Sequence, residues 1–147
     1  MSENRVNNPK FRIFGEALRI LVTSRSTNYQ VCVGLQTSPP GGGPPPHRHL
    51  GEDEAFTVIR GEFEVFDGER WHPLRPGEAC TSPRGQVHAF RNTGTTDGQI
   101  MFITNGGGLD EYLAEIATLH MPEDEERLKE ISRHYRYEFV PQKRSPA

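Results

Sequence analysis

The chain has 147 residues and a formal net charge of −3, and 33% of its residues are hydrophobic. Its mean hydropathy is −0.69. This length suits one domain with a real core, and the acidic balance argues against a nucleic-acid-binding protein. No apolar run could span a membrane, no export signal opens the chain, and Cys32 and Cys80 show no pairing pattern. We therefore expect a cytoplasmic protein with two free thiols and no membrane partner.

Twelve prolines and fifteen glycines divide the chain into short segments, as a β-fold with many turns requires. A polar lead-in covers residues 1–10, and a loop of prolines and glycines covers 39–46. The predicted strands are 11–14, 17–23, 29–36, 47–50, 54–60, 62–66, 70–74, 78–82, 87–92 and 99–104. Their close spacing favours an antiparallel sandwich or barrel over residues 11–105.

The C-terminal part, residues 106–147, has a different pattern, which predicts a helical appendage. Apolar residues at helical spacing indicate a helix over 109–119. A second helix is expected over 123–135, because acids begin it and basic residues end it, as the helix dipole favours. Residues 135–140 read as a short extended segment.

Two histidines one residue apart are the most informative feature of the sequence. On a strand, His47 and His49 point to the same face, so both can aim at one point. The odd step from His49 to Glu54 would put the carboxylate on the opposite face of an uninterrupted strand. We therefore predict a turn or bulge between them, with Glu54 facing inward from the next strand. By spacing alone Glu52 and Asp53 are rival ligands.

A third histidine, His88, follows in a segment punctuated by proline and glycine. Three imidazoles and a carboxylate form a site for one divalent transition metal ion, whether Fe, Mn, Ni, Co, Cu or Zn. A six-coordinate ion would leave two positions open for catalysis, whereas a tetrahedral zinc would be closed and structural. A carboxylate that swings off the metal can also act as a general base, which makes Glu54 the candidate catalytic residue.

These residues fall into two motifs that resemble those of the cupin superfamily. They are Gly41-x5-His47-x-His49-x4-Glu54-x6-Gly61 and Gly77-x5-Pro83-x-Gly85-x2-His88-x3-Asn92. The resemblance implies a small, single-domain, all-β protein: a cupin conserved-barrel jelly roll (double-stranded β-helix) with two short C-terminal helices. It also implies His47, His49, Glu54 and His88 as the metal ligands.

The sequence around the motifs resembles that of single-domain cupins described as quercetin-dioxygenase-like. That resemblance implies a metal-dependent dioxygenase in which Glu54 deprotonates a small enolisable or aromatic, flavonol-like substrate. A non-oxidative isomerase or lyase and a non-catalytic small-molecule-binding cupin remain alternatives. The side chains of Tyr29, Phe56, Val58 and Phe90 could line the substrate pocket or only fill the core. Because a two-sheet fold has open edges, we also predict a homodimer.

Overall fold

The structure is a computed structural model that describes residues 8–142. Parts of the predicted lead-in (1–7) and of the appendage (143–147) lie outside this range. The described residues form eleven strands, two α-helices and one short 3-10 turn. They are β1 (Lys10–Ile13), β2 (Glu16–Val22), the turn (Arg25–Thr27), β3 (Cys32–Ser38), β4 (His47–His49), β5 (Glu54–Arg60), β6 (Phe63–Phe66), β7 (Trp71–Leu74), β8 (Ala79–Ser82), β9 (Ala89–Asn92), β10 (Gly98–Thr104), α1 (Leu109–Ile116), α2 (Glu125–His134) and β11 (Tyr137–Phe139).

The strands form antiparallel sheets that enclose one apolar core. The largest sheet has the order β1-β2-β3-β10-β5-β8, a second has the order β7-β6-β9, and β4 pairs with β11. Phe56 of the large sheet meets Phe90 of the smaller one, with 5.7 Å between ring centroids. Phe63 also packs against Phe90, edge to face, with 6.1 Å between ring centroids. This arrangement confirms the predicted jelly roll with two short C-terminal helices.

The predicted strand 29–36 is wrong at its start. The chain enters the left-handed region at Asn28 and Tyr29, so the strand begins only at Cys32. Its buried face carries Cys32, Gly34 and every second residue after them. A Cβ on Gly34 would lie 2.0 Å from the Phe102 ring, so the small residue makes room for that ring. The alternate residues with larger apolar side chains, Val33 and Leu35, therefore face outward.

The C-terminal residues return to the barrel as a strand after the two helices. Tyr137 pairs with His49 and Phe139 with His47. The predicted boundary between residues 105 and 106 thus divides segments that share a sheet, and it stays a prediction. Neither helix between residues 8 and 142 has the length and apolar content needed to cross a membrane.

Helix α1 is held to the barrel by a buried carboxylate. Asp110, in its first turn, accepts hydrogen bonds from the backbone N–H of Ser24 at 3.0 Å and from the Ser24 hydroxyl. Both residues are buried, with 7% of Asp110 and 1% of Ser24 exposed. The carboxylate therefore fixes the helix against the loop that precedes β3.

Replacing Asp110 with alanine is expected to lower the free energy of unfolding by about 3 kcal/mol, because it leaves two buried donors of Ser24 without a partner. Denaturant titration measures this loss. Glu111→Ala is the matched control, since the one side-chain hydrogen bond of Glu111 within the described part of the chain is an exposed one, from the Tyr29 hydroxyl. It should change stability by less than about 1 kcal/mol. Equal losses in both variants would contradict the anchoring role.

Candidate metal centre

The four sequence-predicted ligands come together inside the barrel. One donor atom from each of His47, His49, Glu54 and His88 lies within 4.8 Å of all the others. At most 6% of any of these residues is exposed. His47 and His49 lie on β4, Glu54 begins β5, and His88 precedes β9. Two backbone hydrogen bonds between His47 and His88, at 2.8 and 3.0 Å, fix the third histidine beside the first.

The predicted break between His49 and Glu54 is present. Residues 50–53 form a bend between β4 and β5, which belong to different sheets. The bend allows Glu54 to face the same interior point as the two histidines despite the odd spacing. Its Oε1 lies 3.0 Å from His88 Nε2 and 3.4 Å from His49 Nε2.

Hydrogen bonds at the outer ring nitrogens orient the three imidazoles. His47 Nδ1 lies 2.8 Å from the Pro45 carbonyl and His88 Nδ1 lies 3.1 Å from the Gln86 carbonyl. A carbonyl oxygen only accepts, so both Nδ1 atoms carry the proton. When these rings are neutral, each Nε2 therefore carries the lone pair with which a histidine binds a metal. This arrangement is typical of metal-ligating histidines.

The two rival carboxylates stand outside the cluster. Glu52 is buried, and its Oε1 lies 2.9 Å from His49 Nδ1, on the outer side of that ring. Asp53 lies at the surface, where it accepts hydrogen bonds from Arg84 and Asn105. Glu52 therefore orients a ligand, and Asp53 closes the loop around the bend.

The buried groups of the cluster shift one another's pKa values. Burial, together with the neighbouring His88 and His49, holds the pKa of His47 well below its ordinary value. Burial would also lower the pKa of His49, but the Glu54 and Glu52 carboxylates outweigh it and raise the pKa to about 9. Burial would raise the pKa of Glu54, yet His49 and His88 hold it well below the usual range. The imidazoles beside Glu54 thus stabilise its buried carboxylate as an anion.

The donor set fits a divalent transition metal. His49 Nε2 is buried without a hydrogen-bond partner among the described residues, which is costly unless another group binds it. Three imidazole nitrogens and one carboxylate oxygen are ligands that Fe, Mn, Ni, Co, Cu and Zn accept. The residues therefore fit the predicted metal, without indicating which metal is native.

A cavity of about 50 Å³ lies against the cluster. Phe56 and Phe90, two of the four predicted pocket residues, line it. Val58 is fully buried in the core, and Tyr29 is 41% exposed at the surface, so neither reaches the cavity. The Tyr29 hydroxyl instead donates to Glu111 at 2.7 Å.

Sequence reasoning missed several residues around the cavity. One of them, Tyr137, contacts two of the clustered histidines directly. Its ring stacks on His47 with 4.7 Å between centroids and 9° between planes, and it meets His49 edge-on at 5.0 Å. Gln36, Leu109 and Leu113 line the same cavity. The extended segment predicted over 135–140 was the signal for Tyr137, but nothing in the sequence indicates its partner strand.

Comparisons with known proteins agree with this fold and site. A family model described as "Cupin domain" matches residues 34–104. The chain is 36% identical over 59 residues to the "Oxalate-binding protein" of Thermotoga maritima, a match that covers 40% of this chain but only 49% of that relative. It is 30% identical over 94 residues to "Protein SchB" of Streptomyces halstedii, covering 64% of this chain and 68% of that protein.

The fold is shared with solved structures of low sequence identity. The structure of KdgF from Halomonas sp. superposes with a TM-score of 0.62 at 19% identity, covering 70% of this chain and 92% of that one. The matched segment 34–104 contains all four clustered residues. By its jelly roll, its motifs and these matches, the chain belongs to the cupin superfamily.

Proposed function

We propose that this protein is a metal-dependent enzyme, a dioxygenase that cleaves a small enolisable or aromatic compound. The observation that carries the proposal is the cavity beside the cluster, which Glu54 and two of the histidines line directly. A purely structural metal site is closed by its ligands and needs no such space. Here the metal-binding side chains face a cavity that can hold a ligand.

His47, His49, Glu54 and His88 would hold the metal. When bound, a divalent transition metal supplies a Lewis acid that lowers the pKa of a coordinated hydroxyl and a redox centre for chemistry with dioxygen. Glu52 and the carbonyls of Pro45 and Gln86 keep the imidazoles oriented for it.

Glu54 is the proton acceptor that the chain offers in this cavity. Its carboxylate lines the cavity beside His47 and His49. A carboxylate can take a proton from an acidic hydroxyl, and an enol or phenol bound beside a metal cation would supply one. This match favours an enolisable or phenolic substrate.

The cavity also limits the substrate. Its volume of about 50 Å³ holds roughly two water-sized groups. The inner cavity therefore admits the reacting end of a small molecule rather than a flat three-ring flavonol body. Phe56, Phe90 and Leu113 give it apolar walls.

Binding of a small dicarboxylate is the second candidate function. The cavity has a suitable size, and the Thermotoga maritima relative is named for binding oxalate. However, no lysine or arginine among the described residues lines the cavity, so an anion would depend on the metal alone for its charge partner. This favours the enolisable substrate.

The test is dioxygen uptake by protein loaded in turn with Fe, Mn, Ni or Co, across β-diketones, catechols and flavonols. Glu54→Gln keeps the shape of the side chain and removes its charge. It is expected to lower turnover per bound metal by about 10²–10⁴-fold, the usual contribution of a general base. Glu69→Gln, which makes the same charge change at the surface, should leave the rate unchanged.

Three results would redirect the assignment. Turnover without dioxygen would favour a non-oxidative isomerase or lyase. Tight oxalate binding with no turnover under any metal would favour the non-catalytic binding protein. An unchanged rate per metal in Glu54→Gln would remove Glu54 as the proton acceptor.

We also propose that the protein is a homodimer. The large sheet has open edges at β1 and β8, and open edges favour pairing. Light scattering on a sizing column should therefore give about twice the 16.6 kDa of one chain. A single monomeric species at micromolar concentration would contradict the proposal.

A further inference from the structure

A second cavity of about 110 Å³ adjoins the inner one. It lies between the β1–β2 hairpin, the proline–glycine loop, α1 and β11. The two cavities share four lining residues, Gln36, Pro44, Leu113 and Tyr137. At its outer end stand Phe14, 58% exposed, and Phe139, 38% exposed. The outer cavity thus lies between solvent and the cluster.

Glu16 is the one acidic side chain that lines the outer cavity, within residues 8–142. It begins β2, and 8% of the residue is exposed. Its Oε1 accepts a hydrogen bond from the Gly43 N–H at 2.6 Å. Its Oε2 is buried and has no hydrogen-bond partner in the part of the chain that the structure describes.

The hydrogen bond from Gly43 accounts for Oε1 of Glu16 but not for Oε2. Glu16 attaches the proline–glycine loop to β2, and the loop approaches so closely that a Cβ on Gly42 would lie 2.6 Å from Glu16 Oε1. A glutamine would serve that purpose equally, since it also carries an acceptor oxygen. A buried carboxylate oxygen without a partner is costly, and attachment of the loop does not offset that cost.

The surroundings of Glu16 favour a positively charged partner. Among residues 8–142, no lysine, arginine or histidine lines the cavity, and Ile13, Leu18 and Ile116 make its walls apolar. No ion pair satisfies Glu16 among the described residues. A ligand with an apolar body and a protonated amine would complement both the walls and the carboxylate.

The geometry points to the outer cavity as a substrate subsite in which Glu16 Oε2 accepts a hydrogen bond from an ammonium group of the ligand. The inference rests on the proposed function, because it places the reacting end of the same substrate in the inner cavity. Glu16 is then a specificity residue, and the substrate class narrows to small enolisable or aromatic compounds that carry an amine.

The test compares two isosteric probes, benzylamine and benzyl alcohol, at pH 7. The zinc-loaded full chain is titrated with each probe, and the amide resonances of Gly43 and Phe139 report binding by NMR. Benzylamine is expected to bind about tenfold more tightly than benzyl alcohol, as a charge-assisted hydrogen bond predicts. Glu16→Gln retains the acceptor for Gly43 and should reduce the preference to within about twofold. Glu69→Gln should retain the full preference.

Equal binding of the two probes to the natural chain would overturn the inference, and this result does not depend on whether the variant folds. A preference for the amine that survives Glu16→Gln would also overturn it. Zinc-loaded protein needs no turnover, so the outcome is independent of the oxygen-uptake assay. An amine preference without any dioxygen chemistry would support the subsite and reject only the oxygenase.

Discussion

Replacing His49 with alanine is expected to remove most of the metal that the purified protein carries. The Nε2 of His49 is one of four donor atoms within 4.8 Å of one another, and no further carboxylate, histidine or cysteine of the described residues joins that group. Glu52 cannot substitute, because it lies on the Nδ1 side of the same ring. Elemental analysis by mass spectrometry, with competition against a chelator, measures the loss.

Glu52→Gln should give an intermediate result. Glu52 Oε1 accepts the Nδ1 proton of His49, and losing an outer partner of this kind typically lowers metal affinity about 10–100-fold. Losing a ligand itself must cost more than that. The order of affinities is therefore natural chain, then Glu52→Gln, then His49→Ala.

His120→Ala is the matched control, since His120 is exposed and lies outside the cluster. It should keep the full metal content. Full retention of metal in His49→Ala would reject the ligand assignment, whatever the other variants show.

The ligand cluster could be predicted from sequence because its information is local. The alternation of strand side chains places His47 beside His49, and the odd step requires the bend before Glu54. Only His88 is distant in sequence. The second motif contains it, and two backbone hydrogen bonds join it to His47. The side-chain period and the motif spacing together therefore sufficed for the centre of the site.

The face of β3 could not be predicted in the same way. Val33 and Leu35 give one side of the strand its larger apolar side chains, yet the buried side carries Gly34 and the polar Gln36. Gly34 is buried because the Phe102 ring of β10 fills the space above it. A glycine that accommodates a ring from another strand gives no apolar signal, so tertiary packing overrode the pattern.

Residues that complete the cavity were missed because they come from distant parts of the chain. Tyr137 reaches the cluster only because β11 pairs with β4, and three-residue strands have too little pattern to reveal their register. Glu16 falls between the predicted strands 11–14 and 17–23, and its burial depends on the distant loop that folds over it. The chemistry of the site is thus local in sequence, and the shape of its cavity is not.

That same loop supplies the second large effect, the expected destabilisation by Gly43→Ala. A Cβ at position 43 would lie 1.9 Å from the backbone carbonyl oxygen of Phe90, and φ there is +140°, which side chains disfavour. Backbone cannot yield as a flexible side chain does. Overpacking and strain together should lower the free energy of unfolding by about 4 kcal/mol.

Gly41→Ala isolates the backbone contribution in the same loop. Its φ of +78° is also left-handed, but nothing lies within 4 Å of the added Cβ. That variant should lose only about 1–2 kcal/mol. At about 2–4 °C per kcal/mol for a domain of this size, Tm falls by about 12 °C in Gly43→Ala and about 4 °C in Gly41→Ala.

Because the loop leads directly into His47, Gly43→Ala should also bind less metal below its Tm. Equal Tm shifts would mean that the loop moves away from β9 freely, and the close approach would then have no role in placing the first ligand.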